Sequence, residues 1–294
     1  MFGEQSAQFA RLTALALLLL LLAGAGAMNS STAGASSGTS APSCERASHF
    51  DPNNFSNPTT IDNEWSPLVP GTQLILEGFA DGVPHRVVFT VTDLTKVING
   101  VRTVVIWDRD FSEGEIVETE LAFKAQDDEG NVWNLGEYPE EYEDGQLLGA
   151  PNTWIAGLEG AEAGILMQAE PRVGTGYYLQ GWSPDIDFLD CAKVFNTGEE
   201  TCVPFNCYEN VLVTDERSPL DAADGHQRKY YAPGVGNIQI GATGDASGEV
   251  LELVKIVHLS PSALAKAQQE VLKLEKRAYR ISDVYRDTPP LEKR

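Results

Sequence analysis

Short strand-like segments separated by glycine turns occupy residues 72–137, and this pattern limits most strongly what the chain can fold into. The segments are rich in Val, Ile, Thr and aromatic residues, which suit a pleated sheet. Each break carries Gly with Asp, Asn or Glu, as tight hairpin turns require. The pattern therefore predicts an antiparallel meander whose strands contain TQLILEGF, HRVVFTVT, RTVVIWDRDF, EIVETELAFKAQ and NVWNLGE.

Shorter strand-like segments continue the pattern beyond residue 137. Between residues 138 and 182 aromatic side chains lie among Gly, Pro and Glu without clean alternation, which indicates loops and short strands. The fold class predicted from the whole pattern is mainly β, a curved antiparallel meander or half-barrel. The additional strands are predicted at 165–170, 177–182, 192–196, 208–215, 227–231, 236–242 and 249–258.

A single amphipathic helix is predicted at residues 261–282, and a tail at 283–294. Ser260 followed by Pro261 is a typical helix start, with Ser as the N-cap. Apolar residues then recur three and four positions apart, which gives one apolar stripe that we expect to pack on the sheet. A membrane-surface helix and a short coiled coil are the alternatives. The stripe consists of Leu264, Ala267, Val271, Leu274, Ala278 and Ile281.

The first 43 residues predict an exported chain. Arg11, an apolar run at residues 12–22 and the sequence Ala-Gly-Ala at 25–27 together indicate a signal peptide cleaved after Ala27. No Cys occupies the lipobox position, so neither a lipid anchor nor stable membrane insertion after cleavage is expected. Residues 28–43 are Ser, Thr, Gly and Ala and predict a flexible linker. Residues 44–260 then form one acidic β-rich domain, in a secreted or periplasmic protein.

Four cysteines in an exported chain predict disulfides, and four cysteines allow three pairings. Cys202 and Cys207 bracket a short loop and could meet across it, which would leave Cys44 to pin the start of the domain against Cys191. A redox-active pair is the weaker alternative, because this spacing differs from the C-x-x-C of thiol oxidoreductases.

The charge of the chain is concentrated in the predicted β domain. The chain carries a net charge of −22, and residues 44–260 hold 37 of its 43 acidic residues against 12 of its 21 basic residues. Such a field repels phosphate, so nucleic acid is excluded as an expected partner. A small apolar ligand or an envelope protein is the expected partner instead.

Catalytic and metal-binding signatures are absent from the sequence. It contains no nucleophile elbow, zinc-protease motif, Walker loop or dinucleotide loop, and its four histidines are isolated. Residues 127–131 resemble a calcium loop, but alignment on Gly130 places Ala125 and Gly136 at the first and last ligand positions, so a hairpin turn is predicted there. Neither a cofactor nor a metal site is expected.

Acidic residues on two adjacent predicted strands are compatible with an enzymatic function. Asp108 and Asp110 lie two positions apart, hence on one face of a strand, and Glu118 and Glu120 follow on the next strand. Carboxylate pairs near a tryptophan are typical of glycan hydrolases, in which an acid and a base flank the sugar. A charged, solvated face of the sheet explains the same residues.

Several motifs resemble an uncharacterised family of bacterial secreted proteins and lipoproteins. The resemblance covers most of residues 58–258, and it implies no activity and no catalytic residues. The strand pattern is also similar to the half-barrels of envelope lipoprotein carriers, which hold an acyl chain in an apolar concavity. The motifs are TIDNEWSPLVPGT at 60–72, AQDDEGNVWNLGE at 125–137, WIAG at 154–157 and KYYAPGVG at 229–236.

Three functions remain open from the sequence. The leading hypothesis is an exported non-catalytic binding protein that holds an apolar or lipid-like ligand in the concave face of its sheet. Its candidate ligand contacts are Trp107, Trp133, Trp154 and Trp182. The alternatives are a secreted hydrolase that uses the strand carboxylates and a structural or protein-binding surface domain.

Overall fold

The computed structural model describes residues 44–220, 225–244 and 248–294. The predicted signal peptide and the whole of the predicted linker lie outside these residues. Helices α1 (Pro261–Ile281) and α2 (Asp283–Arg286) follow the main strands. The strands are β1 (Thr72–Ala80), β2 (Val83–Ile98), β3 (Val101–Ser112), β4 (Glu115–Gln126), β5 (Val132–Glu143), β6 (Gln146–Gly149), β7 (Trp154–Ile155), β8 (Glu162–Met167), β9 (Tyr178–Ser183), β10 (Phe188–Cys202), β11 (Cys207–Arg217), β12 (His226–Ala232), β13 (Gly236–Thr243), β14 (Val250–His258) and β15 (Glu292–Lys293).

Two-residue turns explain why neighbouring strands pair. Four hairpins turn on an acidic residue or Asn followed by Gly, and both residues have positive φ angles between 47° and 89°. Two successive positive φ angles match the right-handed twist of the paired strands, and glycine adopts such angles without strain. The predicted mainly β fold and its antiparallel pairing are confirmed. The turns are Asp81-Gly82, Asn99-Gly100, Glu113-Gly114 and Asp144-Gly145.

The sheet closes on itself into a barrel, which goes beyond the predicted curved meander or half-barrel. Twelve of the described strands form a ring in the order β1, β14, β13, β12, β11, β10, β9, β8, β5, β4, β3, β2. Strand β1 completes the ring because Leu74 pairs with Ile256 on β14 and with Phe89 on β2. Turn motifs in the sequence predict only the pairing of strands that follow one another. The closure of the barrel pairs β1 with β14, which lie far apart in the chain, so the sequence pattern does not predict it.

One part of the barrel interior is apolar and filled. Buried side chains from β2, β3, β4, β5, β8, β10, β11 and β12 meet in one cluster, which residues on opposite walls can do only inside the ring. Ile61 and Leu68, from the segment before β1, join this cluster. A second cluster, contributed mainly by β1, β11, β13 and β14, adjoins it through the shared Phe89. The barrel's own side chains therefore occupy this region.

Helix α1 covers the outside of the barrel. Val271, Leu274 and Ala278 are at most 5% exposed and belong to one cluster with Val105 and Phe123 from the outer face of the sheet. Ser260 caps the helix, as its side chain accepts a hydrogen bond from the amide of Ala263. The predicted amphipathic helix is confirmed. Since its buried stripe lies against the sheet, the stripe is not available to a membrane surface.

The chain beyond α1 also packs on the barrel. Strand β15 pairs with β2. Beneath it Lys96 is fully buried and donates a hydrogen bond to the carbonyl of Pro289 at 2.6 Å, while its ammonium group lies 4.2 Å from the ring centre of Tyr285. Burial lowers the pKa of Lys96 to about 8, against the attraction of Glu275 on α1. Residues 283–294 are thus an ordered part of the domain.

A buried ion pair holds α1 to the barrel and gives a stability prediction. Nε and Nη2 of Arg277 donate to Glu140, which is fully buried on the outer face of β5. Arg277→Met would leave this carboxylate buried beside only Tyr138 and Tyr142. Because a buried charge without its partner is costly, we expect a loss of about 2–3 kcal/mol in the free energy of unfolding.

Urea unfolding of the purified protein measures this loss, with Arg280→Met as the matched control. Arg280 is exposed on the same helix, so we expect its substitution to change stability by less than about 0.5 kcal/mol. Equal effects of the two substitutions would contradict the role assigned to the Arg277–Glu140 pair.

Candidate functional site

The four acidic residues that the sequence placed on two strands lie together on the inner face of the barrel. On the β3–β4 ladder Asp108 is opposite Glu120, and Asp110 is opposite Glu118. Asp108 and Asp110 lie two and four positions after Ile106, so they share its face of β3, and Ile106 belongs to the interior cluster. The same face of the sheet therefore changes from apolar to acidic along β3 and β4.

Further acidic residues reach the same end of the barrel from other strands. Glu137 on β5 pairs with Ala122 of the inner face, and Glu141 pairs with Glu118. Asp190 on β10 and Glu216 on β11 lie among the residues around the same space. The acidic end of the barrel is defined here as these four residues together with Asp108, Asp110, Glu118 and Glu120.

A cavity of about 220 Å³ opens between these walls. Glu118, Glu120 and Asp190 line it on the acidic side. Trp154 and Phe188 form an aromatic side, and their rings are stacked with centres 5.2 Å apart. The cavity is therefore a polar site with one aromatic wall.

Burial and crowding raise the pKa of four acidic side chains in this end of the barrel. Burial, and secondarily the charge of Asp110, raises the pKa of Asp108 to about 7. Burial followed by repulsion from Glu137 raises the pKa of Asp190 to about 7 as well. The pKa values of Glu118 and Glu120 are raised well above the ordinary range by burial and by the neighbouring carboxylates. Near neutral pH these groups hold protons that ordinary carboxylates would have lost.

The pKa of Glu137 is shifted in the opposite direction, below its ordinary range. Burial alone would raise its pKa, but Lys124 and three hydrogen bonds lower it. The ammonium of Lys124 lies 3.2 Å from Oε1, Asn134 donates to Oε1 at 2.7 Å, and the indole of Trp154 donates to Oε2 at 3.1 Å. Glu137 is therefore held ionised beside protonated neighbours.

Few cations balance the carboxylates of this region. Lys229 pairs with Glu216 at 2.8 Å. His85 lies 2.8 Å from Asp110, and attraction to that carboxylate raises the pKa of His85 although burial opposes the change. Lys124 is paired with Glu137. In the described chain these cations are fewer than the acidic side chains, which leaves Glu118, Glu120 and Asp190 without an ion pair.

The four tryptophans proposed as ligand contacts lie in different places. Trp154 lines the acidic cavity. Trp107 and Trp133 alternate with inner-face residues and pack in the outer cluster, where Trp107 donates to Thr119 and Trp133 donates to Asp127. Trp182 is half-buried beside Leu189 and Cys191. They do not form a single ligand-binding wall.

The apolar ligand predicted from the sequence does not fit the barrel interior. The apolar region is filled by its own side chains, several of which, including Leu212, Ile238 and Leu251, have no exposed surface. One open space among the described residues lies instead beside Glu118, Glu120 and Asp190. A second, of about 450 Å³, lies beside Trp133 and Ile165. Unpaired carboxyl groups are a poor lining for a hydrocarbon chain because they would lose hydration without gaining a partner.

Both candidate disulfides form in the structure. Cys44 is bonded to Cys191, and Cys202 is bonded to Cys207 across the end of the β10–β11 hairpin. All described cysteines are therefore paired. The prediction of disulfide bonding is confirmed.

The described residues hold neither a group of metal-ligating side chains nor a helix suited to span a membrane. No group of three or more His, Cys, Asp or Glu side chains in this part of the chain is arranged to hold a metal ion. None of the helices in the described ranges is both long and apolar enough for a transmembrane span.

A β-bulge conceals Glu137 from sequence analysis. The register between β4 and β5 shifts at Phe123 and Lys124, so Asn134 and Glu137 face the same side although three positions separate them. Gly136 permits the bulge with a φ of 149°, and a Cβ there would lie 2.7 Å from the carbonyl of Trp154. Strict alternation would have placed Glu137 on the outer face.

The raised pKa values predict that acid pH stabilises the folded barrel. The pKa of Asp108 and Asp190 is about 7 in the folded chain, against about 4 for an unfolded Asp. The folded chain therefore binds these protons more tightly, and the resulting stabilisation is lost as the pH rises from about 4 to about 7. We expect the Tm in thermal unfolding to fall between pH 5 and pH 8.

The variant Glu120→Gln tests the origin of this pH dependence. The substitution removes one carboxyl group whose pKa is raised in the folded chain. We therefore expect a higher Tm at pH 8 and a smaller decrease of the Tm between pH 5 and pH 8. Glu115→Gln is the matched control because Glu115 is exposed at the start of the same strand. A Tm that rises with pH over this range, or equal effects of the two variants, would contradict the assignment.

Comparisons with protein-family models and with curated proteins find no match for this chain. A crystal structure from Bacteroides fragilis, described as an exported protein with a YmcC-like fold, is 13% identical and covers 66% of this chain and 99% of its own, with a TM-score of 0.35. A second, from Parabacteroides distasonis and described as a lipoprotein, is 12% identical and covers 67% of this chain and 100% of its own, with a TM-score of 0.37. Both descriptions belong to the class of exported proteins that the sequence resembles, but likenesses this distant carry no argument about function.

Proposed function

We propose that this chain is an exported, non-catalytic binding protein and that its ligand site is the cavity at the acidic end of the barrel. The observation that carries the proposal is the convergence of Glu118, Glu120 and Asp190, which make no ion pair in the described chain, on one open space. Even partial burial of such groups without a partner is unfavourable, and a bound ligand would supply the partners they lack. Regular strands hold all three, which favours a preformed site.

Export is supported by the covalent cross-links. The cysteines of the Cys44–Cys191 and Cys202–Cys207 pairs would be kept as free thiols in an ordinary cytosol. Disulfide bonds persist in the periplasm or outside the cell. The signal sequence predicted at residues 1–27 agrees with this location.

Glycan hydrolysis is the second candidate, and one specific observation favours it. Glu120 is held protonated, and Glu137 on the adjacent strand is held ionised. Two carboxyl groups with pKa values driven apart are the arrangement used by an acid and a base. We rank this function second because Glu137 is already paired with Lys124 and hydrogen-bonded at both oxygens, which weakens it as a nucleophile or base.

Native mass spectrometry of protein purified from its own host tests the binding function. We expect a bound small molecule that survives desalting. Ser218→Phe, at the cavity wall, should abolish retention because its ring fills the space that the ligand would occupy. Thr197→Phe is the matched control, since Thr197 is exposed on β10 away from the cavity. A bare chain, or equal retention by the two variants, would overturn the proposal.

A screen for reducing sugar released from polysaccharides tests the alternative. If the chain is a hydrolase, Glu120→Gln should lower the rate by at least about 100-fold, as expected for loss of a general acid, while Glu115→Gln leaves the rate unchanged. We expect no turnover with any polysaccharide. Turnover that depends on Glu120 would replace the binding function with the hydrolytic one.

A further inference from the structure

We infer that the ligand of the acidic cavity is a small organic cation, an amine or guanidinium compound, which binds in exchange for protons. This inference rests on the proposed function and names the ligand class of the same site. It is carried by three independent features of the cavity: an excess of carboxyl groups, a buried hydroxyl without a partner, and an aromatic wall.

Few protein cations balance the carboxyl groups of the cavity, and Arg217, which also lines it, lies over the ring of Tyr177. Lys229 is paired with Glu216 and Lys124 with Glu137. Glu118, Glu120 and Asp190 form no ion pair with any described residue. A ligand with one or two positive charges would provide the missing charge, and an anionic ligand would meet strong repulsion.

A buried hydroxyl group points to a hydrogen-bonding ligand. Ser218 lines the cavity and is only 9% exposed, and its Oγ has no hydrogen-bond partner within the described residues. A buried hydroxyl without a partner costs free energy. An ammonium or guanidinium N–H donated to this oxygen would satisfy it while the charge of the same group meets the carboxylates.

The aromatic wall suits the apolar part or the charge of such a ligand. Phe188 is partly exposed, lines the cavity and is supported from behind by Trp154. Cations and their methylene groups pack favourably on aromatic faces. The cavity volume of about 220 Å³ is smaller than the ~300–1,000 Å³ of pockets that hold drug-sized ligands. The ligand is therefore expected to be a small molecule, about the size of a diamine.

Proton exchange follows from the charges that face the site. Besides Glu118 and Glu120 on β4, the charged groups around it come from every neighbouring wall. They are Asp108 and Asp110 on β3 with His85 on β2, Lys124 on β4, Glu137 and Glu141 on β5, Asp190 on β10, Glu216 and Arg217 on β11, His226 and Lys229 on β12, and Glu249 on β14. Acids outnumber bases in this set, so protons neutralise the excess when the cavity holds no cation.

Isothermal titration calorimetry of the mature chain with 1,4-diaminobutane, agmatine and choline tests the inference, with 1,4-butanediol as the neutral analogue. We expect at least one cation to bind, and its affinity to rise about tenfold per pH unit for each proton released between pH 5.5 and pH 7.5. Butanediol should bind at least 10-fold more weakly. Glu120→Gln should weaken cation binding about 10-fold or more, whereas Glu115→Gln should not change it.

Several results would overturn the inference. These are equal binding of butanediol and the cations, an affinity independent of pH, equal weakening by both Gln variants, or no binding of any cation. Failure of the inference is distinguishable from failure of the proposed function. If the ligand retained from the host is neutral or anionic and is lost in Ser218→Phe, the binding function stands and the cation class is wrong. If no ligand is retained and no cation binds, both fail.

Discussion

The pairing of β1 with both β2 and β14 is the contact on which the rest of the molecule depends. Leu74 lies between Phe89 and Ile256 and completes a closed ring of backbone hydrogen bonds. A closed ring has an inside and an outside, so alternate side chains on every strand acquire opposite surroundings. The same alternation that directs Ile106 into the filled interior directs Asp108 into the acidic end. Without closure, those carboxyl groups would lie on an open face and regain water.

The turns and the amphipathic helix of this chain can be predicted from its sequence, but the closure of the barrel and the position of the acidic cavity cannot. The Asn99-Gly100 and Asp81-Gly82 turns and the stripe on α1 follow from rules that act over a few residues. Ring closure joins residue 74 to residue 256, and no local pattern encodes such a contact. The bulge at Gly136 reverses the alternation, which hides Glu137, and Asp190 reaches the cavity from a strand with no acidic pattern of its own. The acidic residues on β3 and β4 were identifiable as a shared face, but their position inside a barrel was not.

The motifs that resemble secreted proteins have a structural explanation. The side chain of Asn63 donates to the carbonyls of Gly130 and Gln168 and accepts from the amide of Trp65. Asp127 accepts from the amide of Asn131 and from the indole of Trp133. Buried hydrogen-bond networks of this kind require particular side chains. These networks fasten the segment before β1 to the β4–β5 turn, away from the acidic cavity. Other residues of the motifs, Glu137, Trp154 and Lys229, line the cavity itself.

The Cys44–Cys191 bond has a mechanical consequence. It encloses β1 to β9 in a covalent loop with a sequence separation of 147 residues, and it attaches the start of the domain directly to β10. Tension applied through the chain before Cys44 therefore passes into the barrel wall at β10 and bypasses the segment that leads to β1. The strand that completes the ring is therefore not the point at which this load enters the barrel.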